Sequence, residues 1–501
     1  MATTPVQTRR LLREEITYSV AKEKEVNILH RLQYPDQQSQ FFALLDDRRD
    51  WIQTVVAHHL SLKSPNNCHV ANKDDWLHGS FNVCIPVTVG HPQCNKRVLL
   101  RVPLPYRIGE AFRPGNGDEK IRYEAATYAW IGGNCPDVSI PRLYGFAAST
   151  GDTFTRLENL PFLTRYVHRL RCWKRSLFRL PVPSCYVRHD SRHNMRCDKP
   201  PVGYLLVEYI EESTGTMLFN TWPLQHTCSR LRTNFFRDLS RIFLSLAKIP
   251  LQKIGSFTID NRGFLKHTNR PLSLGIQELE NEEIPVDMPR DYTYSNTDSY
   301  IVDTLAYHDN RLRHQPNAIN HISDFAYQAS ALAAMRAIFP LFFRRELRRA
   351  PFFFALTDIH QSNILPPHWF TNKSVDHMDA AEYNNIRLEF MSILEEEELA
   401  LAKDDRVSSK SETLSKMMNQ AWKTGTFWFS LALTSPAGLF FLFDKHIQPI
   451  MTKHCPEHDE FHGIMSWYWT TDTVGIARCK LADKKDYDNR LRQAFGMSSE
   501  V

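Results

Sequence analysis

The chain has 501 residues, which is too long for one ordinary hydrophobic core and predicts two or three packed units. Hydrophobic residues make up 42% and charged residues 23%, as in soluble globular proteins, and a net charge of +5 is too small to indicate a nucleic-acid partner. The 10 cysteines are scattered without a Cys-x-x-Cys pair, which argues against a disulfide framework or a zinc site and predicts a reducing compartment, the cytoplasm.

The N-terminal region is predicted to be helical. Its first residues have no apolar stretch of the kind found in secretory signals, and Glu14 and Glu15 are atypical of a mitochondrial presequence. FFALLDDRRDWIQTVVAHHL has apolar residues at spacings of three and four, which predicts helices up to about residue 62. We therefore expect a helical extension over residues 1–74.

A β-rich segment is predicted to follow, over residues 75–212. FNVCIPVTV and RVLLRVPL are typical of strands, and DEKIRYEAATYAWIGG predicts a helix with acidic residues in its first turn. IPRLYGFA and GYLLVEYI predict two more strands. Between these lies a basic, aromatic insert at 156–200, which we expect to be a solvated loop with a helix; an anion-facing flap and an RNA contact are the alternatives.

The second half of the chain is predicted to be mainly helical, in two parts at 213–374 and 375–501. The polar stretch at about 250–320 predicts a linker with one hairpin at IGSFTIDNRGFLK, and FFFAL predicts a strand. Ser435, Pro436 and Gly438 interrupt the apolar stretch Phe427–Phe443, which favours a buried helix pair over a membrane helix. The run Glu395–Glu398 is expected to be a solvated helix face. The whole pattern predicts an α+β fold in two lobes.

The loop TDIHQSNIL carries two side chains suited to phosphoryl transfer. Asp358 follows the apolar run, and Asn363 comes five positions later. Phosphoryl transfer needs a carboxylate that orients the attacking hydroxyl and an oxygen ligand for Mg²⁺. The Asp-x-x-x-x-Asn spacing occurs by chance in many proteins, but here it follows a predicted strand late in a chain that begins with strands.

FALTDIHQSNIL resembles the catalytic loop of the aminoglycoside phosphotransferase family, a branch of the protein-kinase-like fold. The resemblance implies that Asp358 is the catalytic base and Asn363 a metal ligand, with His360 at the position of the family's second histidine. Leu356 and Thr357 replace the family's leading His and Gly. The resemblance also implies a two-lobed kinase-like fold that uses ATP and Mg²⁺ to phosphorylate an unknown small-molecule hydroxyl.

Four earlier segments are similar to the family's nucleotide-binding half. HGSFNVCIPV resembles the turn that covers the phosphates, and VLLRVPLP resembles the strand carrying a phosphate-binding cation, here Arg101. IRYEAATYAWI resembles the next helix, with Glu124 as the partner of that cation, although an ordinary surface pair is the alternative. YLLVEYIEE resembles the segment that joins the lobes and contacts adenine. The implied nucleotide site consists of Gly79, Ser80, Phe81, Asn82, Arg101, Glu124, Glu208, Tyr209 and Ile210.

The resemblance ends shortly after Asn363. Active members carry a second metal-binding Asp on a following hairpin, whereas Pro366 and Pro367 come directly after NIL and argue against a strand there. Asp376 is the one candidate by spacing, and its polar surroundings are more typical of a helix start. We therefore expect an incomplete metal site. Two functions stay open, a weakened small-molecule kinase and a non-catalytic kinase-like protein that binds a nucleotide or a protein partner. We expect neither a nucleic-acid nor a membrane partner.

Overall fold

The computed structural model describes residues 7–90, 96–189, 202–215, 218, 227–355, 380–404, 413–436, 438–452 and 460–497. The predicted catalytic loop with Asp358, His360 and Asn363 lies outside the described residues, and so does Asp376.

The chain begins with a hairpin followed by four helices: β1 (Thr8–Arg10), β2 (Glu15–Thr17), α1 (Tyr18–Glu23), α2 (Ile28–Arg31), α3 (Tyr34–Asp46) and α4 (Arg49–Leu60). The prediction of helices throughout this region is wrong for the hairpin, in which Thr8 lies opposite Thr17. Strands of three residues are too short to give a clear alternation of apolar and polar residues.

An antiparallel sheet forms the centre of the first half. Its strands are β3 (Cys68–Val70), β4 (Leu77–His78), β5 (Asn82–Val89), β6 (Lys96–Pro103), β7 (Leu143–Ala147), β8 (Thr153–Arg156), β9 (Tyr186–Arg188) and β10 (Tyr204–Glu208). Their spatial order is β3–β5–β6–β10–β7–β8–β9, and β4 also pairs with β5. Helix α5 (Asn116–Asn134) connects β6 to β7, and α6 (Phe162–Leu177) lies in the basic insert. The predicted strands and both helices of this segment are confirmed.

Both faces of the sheet are packed. Buried and partly buried residues alternate along β5 and β6, so Val83 and Val98 lie on one face, in a core that they share with α3 and α4. Helix α5 packs against the opposite face, where Ala125 of the helix joins Leu205 and Val207 of β10 in a second core. Arg101 belongs to this second face, because it lies directly opposite Leu205 in the sheet.

The second half is mainly helical. Its elements are α7 (Ser229–Ala247), β11 (Ser256–Ile259), β12 (Leu265–Asn269), α8 (Leu274–Asn281), α9 (Thr297–His314), α10 (Ile322–Phe342), α11 (Ala380–Asp404), α12 (Leu414–Lys423), α13 (Thr426–Thr434), α14 (Leu439–Leu442), α15 (Gln448–Met451), α16 (Phe461–Trp469) and α17 (Thr473–Ala494). Most of these helices share one apolar core. The last helix packs against the first residues, where the Tyr487 hydroxyl accepts a hydrogen bond from the Ile28 amide at 2.9 Å.

The predicted linker at 250–320 contains the expected hairpin, β11–β12, but also two helices that the sequence did not predict. Ser273 and Asn296 cap the starts of α8 and α9, because their side chains accept hydrogen bonds from helix amides at 3.2 and 2.9 Å. These helices bury few apolar residues, such as Ile301 and Leu305 in α9, so the mainly polar composition of the stretch gave no clear helical pattern.

The strand predicted at FFFAL is wrong in its described part. Phe352 forms a single bridge to Leu251, and residues 353–355 are irregular. The aromatic ring of Phe354 stacks on Trp130 instead, with the ring centres 4.5 Å apart. These apolar side chains are therefore used for packing against α5 and not for extending a sheet.

The acidic run in α11 is only partly solvated, contrary to the prediction. Glu397 forms ion pairs of 3.1 and 2.9 Å with Arg237 and Arg241 of α7, and Glu398 accepts a hydrogen bond from the Ser415 amide at 3.0 Å. These contacts hold α11 to its neighbours. The paired helices predicted at 427–443 are confirmed as α13 and α14. In the described ranges, no helix combines the length and the apolar character needed to cross a membrane.

A buried ion network anchors the first turn of α5. The fully buried Arg270 donates hydrogen bonds of 2.8 and 2.9 Å to Glu119 of α5, and of 2.8 and 3.0 Å to Glu280 of α8. Burial opposes the charge of Arg270, but the hydrogen bonds to both carboxylates outweigh burial and raise the pKa of the guanidinium. Since Glu119 and Glu124 share one helix, this network also determines where Glu124 lies.

Candidate functional site

The turn between β4 and β5 is held by two backbone hydrogen bonds and by the side chain of Arg107. The Gly79 amide donates to the Asn82 carbonyl at 2.9 Å, and the Leu104 amide donates to the Phe81 carbonyl at 2.9 Å. Arg107 donates to the Ser80 carbonyl at 2.8 Å, and its guanidinium lies 5.5 Å from the centre of the Phe81 ring. Residues 79–82 therefore form a turn between two paired strands, which is the local structure that the sequence predicted.

Beside this turn, Arg101 of β6 faces α5. Its Nε lies 3.4 Å from Oε2 of Glu124, so the predicted contact between these two residues is confirmed. The other carboxylate oxygen, Oε1, lies 2.8 Å from Nζ of Lys120, one helical turn earlier. The sequence analysis missed Lys120, although its spacing of four residues from Glu124 is the spacing at which helix side chains meet.

A hydrogen bond joins the turn to the strand at this point, and the ion pair of Arg101 with Glu124 joins the strand to the helix. In the amide orientation that satisfies its neighbours, the side-chain oxygen of Asn82 accepts from Nη2 of Arg101 at 2.9 Å. Arg101 thus contacts both the turn and α5. Tyr128 lies one turn beyond Glu124, and burial raises the pKa of its hydroxyl to about 12. The Tyr128 hydroxyl is therefore neutral at ordinary pH.

The cluster of Arg101, Lys120 and Glu124 contains two cations and one carboxylate. Burial opposes ionisation of Glu124, but the charges of Arg101 and Lys120 outweigh burial and lower the pKa of its carboxyl. With Glu124 ionised, the cluster has an excess positive charge. Arg101 is about one-third exposed. A guanidinium and an ammonium group in a partly buried site can bind an anion with several oxygen atoms, such as a phosphate chain.

We expect Glu124→Gln to lower the free energy of unfolding by about 1.5–3 kcal/mol at neutral pH, because Arg101 and Lys120 lose a charged hydrogen-bond partner. The lowered pKa of Glu124 means that its contribution is complete above the ordinary value of 4.5 and is lost as the pH falls below it. Denaturation of both proteins across this range measures the difference. A gap that is equally large at pH 3 and pH 7 would contradict the ion-pair assignment.

The segment that follows β10 begins near the same cluster. The Glu208 amide donates to the Arg142 carbonyl at 2.8 Å, and the Glu208 carboxylate accepts from the Arg142 amide at 3.0 Å. The Tyr209 ring packs under the Arg97 guanidinium at 4.0 Å, and the Ile210 side chain is about half exposed. Thus the backbone of Glu208 is tied to a neighbouring strand, and the next two residues lead away from the sheet.

An apolar surface separates this segment from Arg101. Val207 lies opposite Leu99 in the sheet, two residues before Arg101 on β6 and on the same face. Leu99 is partly buried and Val207 is buried. Arg101, the apolar pair Leu99 and Val207, and the segment that begins at Glu208 therefore follow one another along the sheet.

A separate cavity of about 400 Å³ lies between α5 and the β11–β12 hairpin, and it includes three cations. Two of these cations are already paired, because Arg122 contacts Asp152 at 3.2 Å and Lys266 contacts Asp260 at 2.9 Å. In the described ranges, no group of three or more His, Cys, Asp or Glu side chains is arranged to hold a metal ion. The cations of the Arg101 cluster are also paired, with Glu124, but this cluster lies beside the turn at residues 79–82, and it is therefore preferred as the candidate site for an anionic ligand.

Comparison of the chain with protein-family models, with curated proteins and with solved structures finds no match. The functional interpretation therefore depends on the site's own residues. These are the turn at residues 79–82, Arg101 on the strand, Glu124 and Lys120 on the helix, and the apolar residues that lie between Arg101 and Tyr209.

Proposed function

We propose that this chain is a kinase-like protein, with the two-lobed arrangement of the aminoglycoside phosphotransferases, that binds ATP and has weak or no phosphotransfer activity toward a small-molecule hydroxyl. The observation that carries the proposal is the contact of Arg101 with Glu124 beside the turn at 79–82. The turn at 79–82, Arg101 and Glu124 follow one another along the chain in the order that the resemblance implies.

The residues of the cluster fit the charge of a nucleotide. Arg101 and Lys120 would bind phosphate oxygens, and Glu124 would keep the guanidinium oriented between ligand and helix. Leu99, which is partly buried beside the core residue Val207, offers apolar surface for the adenine ring. Because the Glu208 amide already donates to Arg142, adenine recognition would depend on the Glu208 carbonyl and on the backbone of Tyr209 and Ile210.

The transfer step would depend on the loop at 356–365. Asp358 would orient the acceptor hydroxyl and take its proton, and Asn363 would hold Mg²⁺. Bound Mg²⁺ neutralises charge on the terminal phosphates during transfer. Pro366 and Pro367 come directly after Leu365, where the hairpin that carries the second acidic ligand should begin, and we therefore infer that this ligand is missing. That same feature favours the second candidate, a non-catalytic protein that binds nucleotide or a protein partner.

Calorimetry with ATP, with and without Mg²⁺, tests the proposal. We expect weak binding, with a Kd of about 0.1–1 mM, because only part of the phosphate charge is compensated. Mg²⁺ should strengthen binding by less than about tenfold, or 1.4 kcal/mol. Transfer from labelled ATP to a panel of hydroxylated small molecules should be small or undetectable.

Two results would overturn the incomplete metal site. One is a large Mg²⁺ enhancement that Asp376→Ala abolishes. The other is robust transfer that Asp358→Asn removes and that the exposed control Asp291→Asn leaves unchanged. The absence of any ATP binding would overturn the nucleotide site itself.

A further inference from the structure

Helix α6 exposes its apolar side chains to solvent. Leu163 is 75% exposed and Trp173 is 61% exposed. The exposed apolar residues of the helix are Phe162, Leu163, Tyr166, Val167, Leu170, Trp173 and Leu177. Phe178 and Leu180 extend this surface beyond the end of the helix. A helix in a globular protein normally turns such residues toward the core, so α6 has the opposite orientation.

The side of α6 that faces the protein is polar. His168 is the buried residue of the helix. Arg171 and Arg175 lie over the ring of Phe264, with guanidinium carbons 5.6 and 5.0 Å from the ring centre. The helix is thus attached to the rest of the chain through its basic side chains, and this contact fixes the direction in which the apolar face points.

The charged residues of the chain segment that carries the apolar face are all positive. Residues 160–189 contain no Asp or Glu, and they contain seven cations: Arg165, Arg169, Arg171, Lys174, Arg175, Arg179 and Arg188. On a helix, Arg165 and Arg169 border the apolar face on one side, and the exposed Lys174 lies at its other edge, whereas Arg171 points onto Phe264. A ligand or surface that covers this face would therefore contact apolar side chains at its centre and positively charged side chains at its edges.

We propose that α6 lies in the surface of an anionic lipid bilayer, with its apolar face in the acyl region and its flanking cations at the lipid headgroups. An amphipathic helix with Trp, Phe and Leu on one face and Arg or Lys beside them has the composition of a helix that lies in a membrane interface. Tyr166 and Trp173 are the residue types enriched at this depth.

This occupant fits better than a nucleic acid. A nucleic acid would be held by outward-facing cations, whereas the outward centre of α6 is apolar. A surface helix needs no membrane-crossing span, so the proposal is compatible with the absence of such a helix from the described residues. It departs from the sequence-based expectation of no membrane partner, and it does not depend on the nucleotide site.

Sedimentation of the full chain with phosphatidylcholine vesicles, with and without phosphatidylserine, tests the proposal. We expect binding to be at least about tenfold stronger with phosphatidylserine and to weaken at high salt. Leu163→Ser combined with Trp173→Ser should reduce binding by about tenfold or more, because two apolar side chains no longer enter the bilayer. The control Tyr468→Ser removes an aromatic side chain of α16 that is more exposed than Trp173, and it should leave binding unchanged.

Both substituted residues are exposed, so the double variant should fold, and an unchanged thermal midpoint verifies this. Equal binding of the parent and the double variant would overturn the proposal, as would binding that ignores phosphatidylserine. Retention of single-stranded RNA that requires Trp173 would assign the face to nucleic acid instead. Self-association that the double variant abolishes, with no vesicle binding, would assign it to a second copy of this chain.

Discussion

Replacing Arg270 with Met is expected to lower the free energy of unfolding by about 3–5 kcal/mol, because the change leaves two buried carboxylates without their cation. Glu280 has no exposed side-chain area and Glu119 has 4%. Arg113 and Arg290 also contact these carboxylates, but both are about one-third exposed and compensate only in part. Chemical denaturation followed by circular dichroism measures the loss.

A matched control is Arg490→Met, which removes a cation from an exposed pair with Asp486. Exposed pairs contribute about 0–1 kcal/mol, so this variant should be nearly as stable as the parent. The triple change Arg270→Met, Glu119→Gln and Glu280→Gln should recover part of the loss, because it also removes the buried negative charges. Equal stability of the Arg270 and Arg490 variants would show that the network does not anchor α5.

Replacing Arg101 with Met is expected to weaken ATP binding by about tenfold or more, which corresponds to 1.4 kcal/mol or more. The substitution removes the cation that lies between the turn and Glu124, and the Glu124 carboxylate then faces the phosphates with only its pairing to Lys120 to offset its charge. Arg101→Lys keeps the charge but not the planar fork, so it should retain part of the affinity. Calorimetry of the three proteins gives the comparison.

Lys96→Met is the control for this prediction. Lys96 is in the same strand, is exposed, and packs over the ring of Tyr144 on the other face of the sheet. Its removal changes the net charge by the same amount but should leave ATP affinity within about twofold. If Arg101→Met and Lys96→Met bind ATP equally well, the cluster beside the turn is not the phosphate site.

Local patterns in the sequence were sufficient to predict four strands of the sheet, β5, β6, β7 and β10, and helix α5, whereas β3, β8 and β9 were missed. In β5 and β6 the apolar residues alternate over eight positions, and in α5 the acidic first turn marks the start of the helix. The contact between Arg101 and Glu124 was predicted from the order of the motifs. Helices α8 and α9 were missed because their apolar residues are few and the surrounding stretch is polar.

Contacts that depend on tertiary structure could not be predicted in this way. Arg270 and Glu119 are 151 residues apart in the chain, and no local pattern indicates that they meet. The exposure of the apolar face of α6 is likewise a tertiary property. The sequence shows that basic and aromatic residues are interleaved there, but not that Arg171 and Arg175 point inward onto Phe264 while Trp173 points outward.

The most direct test of the central claim is photolabelling of the full chain with an azidoadenine analogue of ATP, followed by mass spectrometry of the labelled peptides. The account predicts label that excess ATP removes, in peptides covering residues 77–103 and 204–212, and much less label in Arg101→Met. Label confined to residues 256–266, beside the cavity between α5 and the β11–β12 hairpin, or label that ATP does not displace, would contradict a nucleotide site at Arg101 and Glu124.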